Sequence, residues 1–218
     1  MTTMASGRFP ADDLREWLRV YLVSDPEAAD DLIGTTQAAL DGGATCVQLR
    51  AKHLDGYDFW RRAVTLKTLC DQFGALFIVN DRLDVALACG ADGVHVGVSD
   101  LPVDVVRGMV PERFIIGYSP QTDEHVLASA RMGADYVGLG PVYATGSKAD
   151  AGAPLGIEGL ARQLALSPVP AVGIGGITIA NAPEVMAAGA DGVAVISAIL
   201  KAADPAEATR LLARAVGR

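Results

Sequence analysis

The chain predicts a single α/β domain folded as a closed (β/α)8 TIM barrel of eight parallel strands, and three observations predict it. Its 218 residues fall within the roughly 200 to 250 that such barrels use as one domain. A short signature recurs along it, as Gly43-Ala44-Thr45, Gly90-Ala91-Asp92, Gly133-Ala134-Asp135 and Gly189-Ala190-Asp191. The intervals are about twice the roughly 25 to 30 residues of one βα unit, so the signature marks every second strand. Finally, apolar β-branched runs alternate with helical patterns from end to end.

The predicted strands are Arg19–Ser24, Cys46–Arg50, Leu76–Asn80, Gly93–Val96, Phe114–Tyr118, Tyr136–Leu139, Ala171–Ile174 and Gly192–Ile196. Between and after them, Asp30–Leu40, Tyr57–Phe73, Asp123–Met132 and Ala206–Val216 carry apolar residues at three and four spacing, as amphipathic helices do. Helical crossovers make the strands parallel, and near-continuous apolar strands belong to a sheet buried on both faces. An open doubly wound sheet is the competing architecture, but no GxGxxG follows the first strand and the repeat continues evenly to the last. Residues 1–218 are therefore read as one domain, with 1–12 a loose N-terminal arm. The Gly-Ala-Asp turns precede strands, on the face of a barrel that serves stability, so no chemistry is assigned to their aspartates.

Half the residues are hydrophobic, with 24 Gly and 11 Pro, an ordinary globular composition. A formal charge of -8 argues against nucleic acid as a partner, because phosphate chains need a basic surface. Met1–Asp13 lacks the apolar core of a signal peptide, and no run is long enough to span a membrane, so a cytoplasmic protein with no membrane association is expected. Cys46, Cys70 and Cys89 show neither CxxC nor His-paired spacing and read as buried thiols. The three histidines, His53, His95 and His125, are too scattered for spacing to assign any of them a role.

Barrel enzymes place chemistry at the C-terminal ends of strands. The second strand ends Gln48-Leu49-Arg50-Ala51-Lys52, where alternation puts Gln48, Arg50 and Lys52 on one side and Leu49 and Ala51 on the other. Two cations at a strand end suit a phosphate or diphosphate, a planar fork from Arg and a mobile charge from Lys; an ion-paired rim would use the same residues. Asp81 follows the third strand and Asp100 the fourth, on adjacent rims, where together they could hold Mg²⁺ with substrate phosphate completing its shell. Either aspartate could also cap the helix behind it.

After the sixth strand the chain from Gly140 to Gly156 has no regular pattern, and loops that long in compact domains are usually functional or disordered. Its Thr145, Ser147 and Lys148 could wrap an anion. Gly173-Ile174-Gly175-Gly176 and Val195-Ile196-Ser197 end the last two strands, where barrels commonly seat a phosphate. Two anion sites follow, one cationic with a metal and one at the glycine turn, so small phosphorylated molecules are the expected partners.

Five blocks in order carry a resemblance: VQLRAK from Val47, NDRLDVALACGADGVHVG from Asn80, GPVYATGSK from Gly140, GIGGI from Gly173 and VISAI from Val195. Together they resemble the thiamine phosphate synthase family, from Tyr21 to Ile199. The resemblance implies condensation of hydroxymethylpyrimidine diphosphate with a thiazole phosphate, giving thiamine phosphate and pyrophosphate with Mg²⁺ as cofactor. It implies that Gln48, Leu49, Arg50, Ala51, Lys52, Asn80, Ser119 and Lys148 bind the diphosphate substrate. Arg50, Lys52, Lys148 and Ser119 would be catalytic, and Asp81 and Asp100 would bind the metal. Thr145, Gly146, Ser147, Gly176, Ile196 and Ser197 would hold the thiazole phosphate. Such barrels are often homo-oligomers.

The family reaction is dissociative: the bond to pyrophosphate breaks first and the thiazole nitrogen captures the cation, which calls for electrostatic stabilisation more than for a base. Ala51, Val98 and Ala144 depart from the family pattern, which usually has an acidic residue, glutamine and proline there. The related thiazole tautomerase needs a general base and has a histidine near the position of Pro141. A barrel that only binds thiamine phosphate could dispense with Asp81 and Asp100.

Overall fold

The computed structural model describes residues 11–25, 28–146 and 152–218. In chain order the elements are α1 (Ala11–Trp17), β1 (Val20–Ser24), α2 (Leu32–Asp41), β2 (Cys46–Leu49), α3 (Gly56–Phe73), β3 (Leu76–Asn80), α4 (Leu83–Cys89), β4 (Gly93–Gly97) and α5 (Val103–Met109). They continue with β5 (Ile115–Ser119), α6 (Asp123–Met132), β6 (Tyr136–Leu139), α7 (Gly156–Leu166), β7 (Ala171–Ile174), α8 (Ala182–Ala187), β8 (Gly192–Val195), α9 (Ser197–Leu200) and α10 (Pro205–Ala215).

The eight strands form one closed barrel in sequence order, every pair parallel, and β1 closes on β8 through Val20↔Val193, Tyr21↔Ala194 and Leu22↔Val195. Each predicted strand is found within a residue of its expected ends, because apolar, β-branched runs are continuous where both faces are covered. The core is the barrel's outer surface against its helices, with Leu22, Leu49, Phe77, Ile116 and Leu139 fully buried. No helix among the described residues is long and apolar enough to cross a membrane.

The recurring Gly-Ala-Asp signature has a structural use. Its alanines are buried, and its polar residue accepts a backbone N–H near the start of the preceding strand. Val20 donates to Thr45 Oγ1 at 3.0 Å, and Phe77, Ile116 and Ala171 donate to Asp92, Asp135 and Asp191 Oδ2 at 2.8 Å. Strand N–H groups at a barrel rim have no further residue of their neighbour to pair with, and these side chains satisfy them.

One expectation changes. Residues 1–10 lie outside the described residues, but Ala11 and Asp12 begin α1 rather than ending a loose arm. The helix is held by buried Leu14 and Leu18 and by an Arg15–Asp191 ion pair of 2.9 Å. Cys46 and Cys70 are buried and Cys89 half-buried, all as free thiols.

Candidate active site

A cavity of about 1090 Å³ opens at the C-terminal ends of the strands, where the polar residues gather. Its walls include Arg50 and Lys52 after β2, Asn80 and Asp81 at β3, Asp100 after β4 and Ser119 at the end of β5. The wall continues through Thr145 and Gly146 in the β6–α7 connection, Gly176 after β7, and Ile196 and Ser197 after β8. Ser147 and Lys148 lie outside the described residues.

Three of the expected contacts are not on this wall. Leu49 is fully buried, its side chain turned to the opposite face from Arg50, as alternation requires. Ala51, also buried, borders a smaller cavity of about 240 Å³ with Lys52, Leu54, Phe59 and Asp81. Gln48 lies deeper, its amide committed to Tyr21.

Arg50 is buried and oriented by Asp25 at the end of β1: Nη1 donates to Oδ2 at 2.9 Å. Asp25 was not anticipated as part of the site. A carboxylate one residue past an apolar strand looks like an ordinary turn residue until the register sets it beside the neighbouring strand's arginine.

Asp81 is the only non-glycine residue with positive φ among the described residues, at 62°. Arg82 N donates to Asn80 O at 2.7 Å, closing a γ-turn around it. Strain of this kind persists where its surroundings impose it. Burial, then the negative charge of Asp100 and a hydrogen bond to it, push the Asp81 carboxyl up to about 6, against the pull of Lys52 and Arg50. Asp100 is itself held by Gly97, whose N–H donates to Oδ2 at 2.8 Å.

Neither aspartate caps a helix, the structural role open to both from sequence. α4 begins after Arg82 and α5 after Pro102, both without a side-chain cap. Two carboxylates are thus crowded at one point of the rim with a net repulsion.

The β6–α7 connection is pinned at its base. Val142 and Tyr143 donate to Ile174 and Gly175 carbonyls at 2.9 and 3.0 Å, while Leu155 and Gly156 donate back to Pro141 and Val142 at 2.8 and 3.0 Å. Tyr143 Oη donates to Glu184 on α8 at 2.8 Å. Gly176 takes φ 66° where Tyr143 and Ala144 cross it, and a Cβ there would lie 2.7 Å from the Ala144 carbonyl oxygen. Asn181 fixes this turn, donating to Gly176 O at 3.1 Å and accepting from Thr178 N at 2.7 Å. Lys201, just past α9, lines the same end of the cavity and was not singled out from the sequence.

Beneath the cavity, five side chains from five strands join by hydrogen bonds across the barrel interior. Gln48 Nε2 donates to Tyr21 Oη at 2.6 Å, the Tyr21 and Tyr136 hydroxyls lie 2.7 Å apart, Tyr136 Oη is 3.0 Å from His95 Nδ1, and His95 Nε2 is 2.8 Å from Ser119 Oγ. Burial pushes both tyrosine hydroxyls well above their usual range, so both remain protonated donors. A polar, inward residue in each of five otherwise apolar strands was the available signal.

A cavity with cations and paired carboxylates at one end and a glycine turn at the other can hold two anionic molecules side by side. The family model described as thiamine monophosphate synthase matches residues 20–199. A thiamine-phosphate synthase of Laribacter hongkongensis is 53% identical over 196 residues, covering 88% of this chain and 92% of that protein. One from Albidiferax ferrireducens is 48% identical over 198 residues, covering 89% and 90%. The solved thiamine phosphate pyrophosphorylase from Pyrococcus furiosus superposes with a TM-score of 0.87 at 39% identity, over 93% of this chain and 97% of that one. On sequence and on fold alike, this chain belongs to the thiamine phosphate synthase family.

Proposed function

We propose that the barrel condenses hydroxymethylpyrimidine diphosphate with thiazole phosphate to give thiamine phosphate and pyrophosphate. The observation that carries this reading is the cavity's division, with Arg50, Lys52, Asp81 and Asp100 on the β2–β4 side and the Gly176 turn with Ser197 on the β7–β8 side. The diphosphate belongs at the first end and the monophosphate at the second.

Asp81 and Asp100 fit a magnesium ion. Their mutual repulsion, which raises Asp81, is what a divalent cation relieves, and Mg²⁺ commonly takes one or two carboxylates and completes its shell with water and substrate phosphate. When bound, the ion would supply positive charge to the diphosphate oxygens. No cluster of three or more His, Cys, Asp or Glu residues among the described residues offers an all-protein alternative.

The protein's own residues do the rest by charge and placement. Arg50, aimed by Asp25, and Lys52 stabilise the negative charge that accumulates as the C–O bond to pyrophosphate breaks. Lys148 is assigned the same task from its place in the sequence. Ser119, at the end of β5, faces the diphosphate substrate. The Gly176 turn, with Thr145, Gly146, Ser147, Ile196 and Ser197, positions the thiazole so that its nitrogen meets the cation before water does. No general base is assigned to this step.

The test is product formation from the two substrates, followed by mass-resolved chromatography with Mg²⁺ and with excess chelator. Thiamine phosphate and pyrophosphate formed only with metal is the expected result. No product in either condition, with thiazole phosphate still bound, would move the assignment to a tautomerase or a binding-only barrel.

A further inference from the structure

We propose that the five-residue chain of hydrogen bonds under the cavity runs in one direction, so that Gln48 sets His95 in its Nε2–H form and leaves Ser119 to give its proton to the substrate. The direction follows from counting protons. An amide nitrogen only donates, so with Gln48 Nε2 at 2.6 Å, Tyr21 Oη accepts there. Tyr21 has one proton, and its neighbour at 2.7 Å is Tyr136 Oη. Tyr136, having accepted, passes its own proton to His95 Nδ1 at 3.0 Å. A neutral imidazole that accepts at Nδ1 carries its proton on Nε2, which lies 2.8 Å from Ser119 Oγ. Cys46 also adjoins Tyr21, and its sulfur, a weak acceptor, competes poorly with the Tyr136 hydroxyl for the Tyr21 proton.

The burial makes the order matter. Gln48, Tyr21 and Tyr136 are at most 4% exposed, so no water is at hand to exchange roles with any of them. The relay links the wall that carries Arg50 to the opposite wall at β5. It rests on the diphosphate reading above for its purpose: an ionised diphosphate offers only acceptors, and a serine that keeps its proton for the cavity suits it. Were the order reversed, Ser119 would spend its proton on His95 and face those acceptors with lone pairs.

The test reads the His95 ring by ¹⁵N-resolved NMR in the resting protein without substrates, with the signal assigned by its loss in His95→Gln. A single Nε2–H tautomer is expected, and an Nδ1–H ring would overturn the proposal. In Gln48→Leu the amide donor is gone and nothing fixes the direction, so the single Nε2–H form is expected to give way to a mixture; a folded variant that keeps Nε2–H alone would also overturn it. Should that variant fail to fold, Tyr136→Phe removes the donor to Nδ1, and the single form is then expected to give way to a mixture; an unchanged spectrum refutes the relay.

Activity supplies an independent arm. His95→Gln keeps an N–H near the Nε2 position and is expected to retain turnover, whereas His95→Asn, too short to reach Ser119, loses about five- to tenfold in kcat. Equal losses would overturn the claim that the Nε2 proton positions Ser119. Because the tautomer is read without substrate, a wild-type protein that shows Nε2–H but forms no product would remove the reaction and leave the relay standing.

Discussion

Asp25 at the end of β1 and Arg50 just past β2 form an ion pair of 2.9 Å in which both side chains are only 11% exposed. Burying two charges is costly unless they are paired, and removing one partner of such a pair is worse than never having built it. The pair therefore holds the guanidinium in place before substrate arrives, with Nη1 committed to Asp25 on a residue that also lines the cavity. Lysine cannot serve both directions with a single ammonium. Arg50→Lys is expected to lose nearly as much kcat/KM as Arg50→Ala, and a variant near wild type would refute the fork. Asp25→Ala is expected to lower stability by about 2–3 kcal/mol, below the fully buried case because Arg50 opens onto the cavity, measured by urea unfolding.

The Asp81–Asp100 pair makes a prediction with a definite sign. Asp81 titrates near 6 in the folded chain, above the ordinary carboxylate value of 3.8, so folding takes up protons between those values. The contribution to stability is fully present below the lower value and lost as pH rises through the higher one. Asp81→Asn is therefore expected to raise the melting temperature at pH 8 by about 2–4 °C, the change that ~1 kcal/mol produces in a chain of this size, with no gain at pH 4. Asparagine is the substitution of choice because it tolerates the positive φ at this position, where alanine would add backbone strain. Mg²⁺ is expected to stabilise the wild-type protein at pH 8 and not this variant. Equal metal stabilisation in both would remove the metal assignment.

Most of the frame was legible in the sequence because barrel strands are short, apolar and two-sided, so their composition is local information. What was not local was missed. Tyr21, Gln48, His95, Ser119 and Tyr136 lie on five different strands, and only closure of the sheet brings His95, unremarkable by spacing, against Tyr136 and Ser119. Asp25 became a site residue for the same reason, through the β1–β2 register. The capping alternative for Asp100 failed because its carboxylate turns back to Gly97, a choice that Asp-Leu-Pro does not reveal. Leu49 shows the converse: parity along the strand already placed it outward, and the resemblance included it only as part of a contiguous motif.

Gly117 makes room for the relay. A Cβ built there would lie 2.3 Å from Tyr136 Cζ and 2.4 Å from His95 Nδ1, distances at which something must move. Both neighbours are buried and hydrogen-bonded, so the strain has no flexible end to absorb it. Gly117→Ala is expected to cost about 1–3 kcal/mol of stability, as overpacking of a filled core does, and to reduce turnover through Ser119. A melting temperature and kcat both at wild-type values would show that the interior is looser than these contacts imply.

Lys201 separates the two ends of the cavity experimentally. It follows α9, lines the cavity with Ser197 and Gly176, and among the described residues makes no ion pair that would occupy its ammonium. Asp81 and Asp100, after β3 and β4, lie across the barrel from β8, whereas Arg50 and Lys52 reach the cavity from β2, with β1 between. A cation at the β8 end attracts the anion seated there and has less leverage on charge developing beside Asp81 and Asp100, since surface-connected charges are screened over about 8–10 Å. Lys201→Gln is therefore expected to raise KM for thiazole phosphate several-fold while leaving kcat and KM for the diphosphate close to wild type. Loss of uniform binding has this kinetic form, whereas loss of an interaction made only in the transition state lowers kcat. Steady-state kinetics with each substrate varied in turn checks it; a rise in KM for the diphosphate instead would reverse the placement of the two substrates in the cavity.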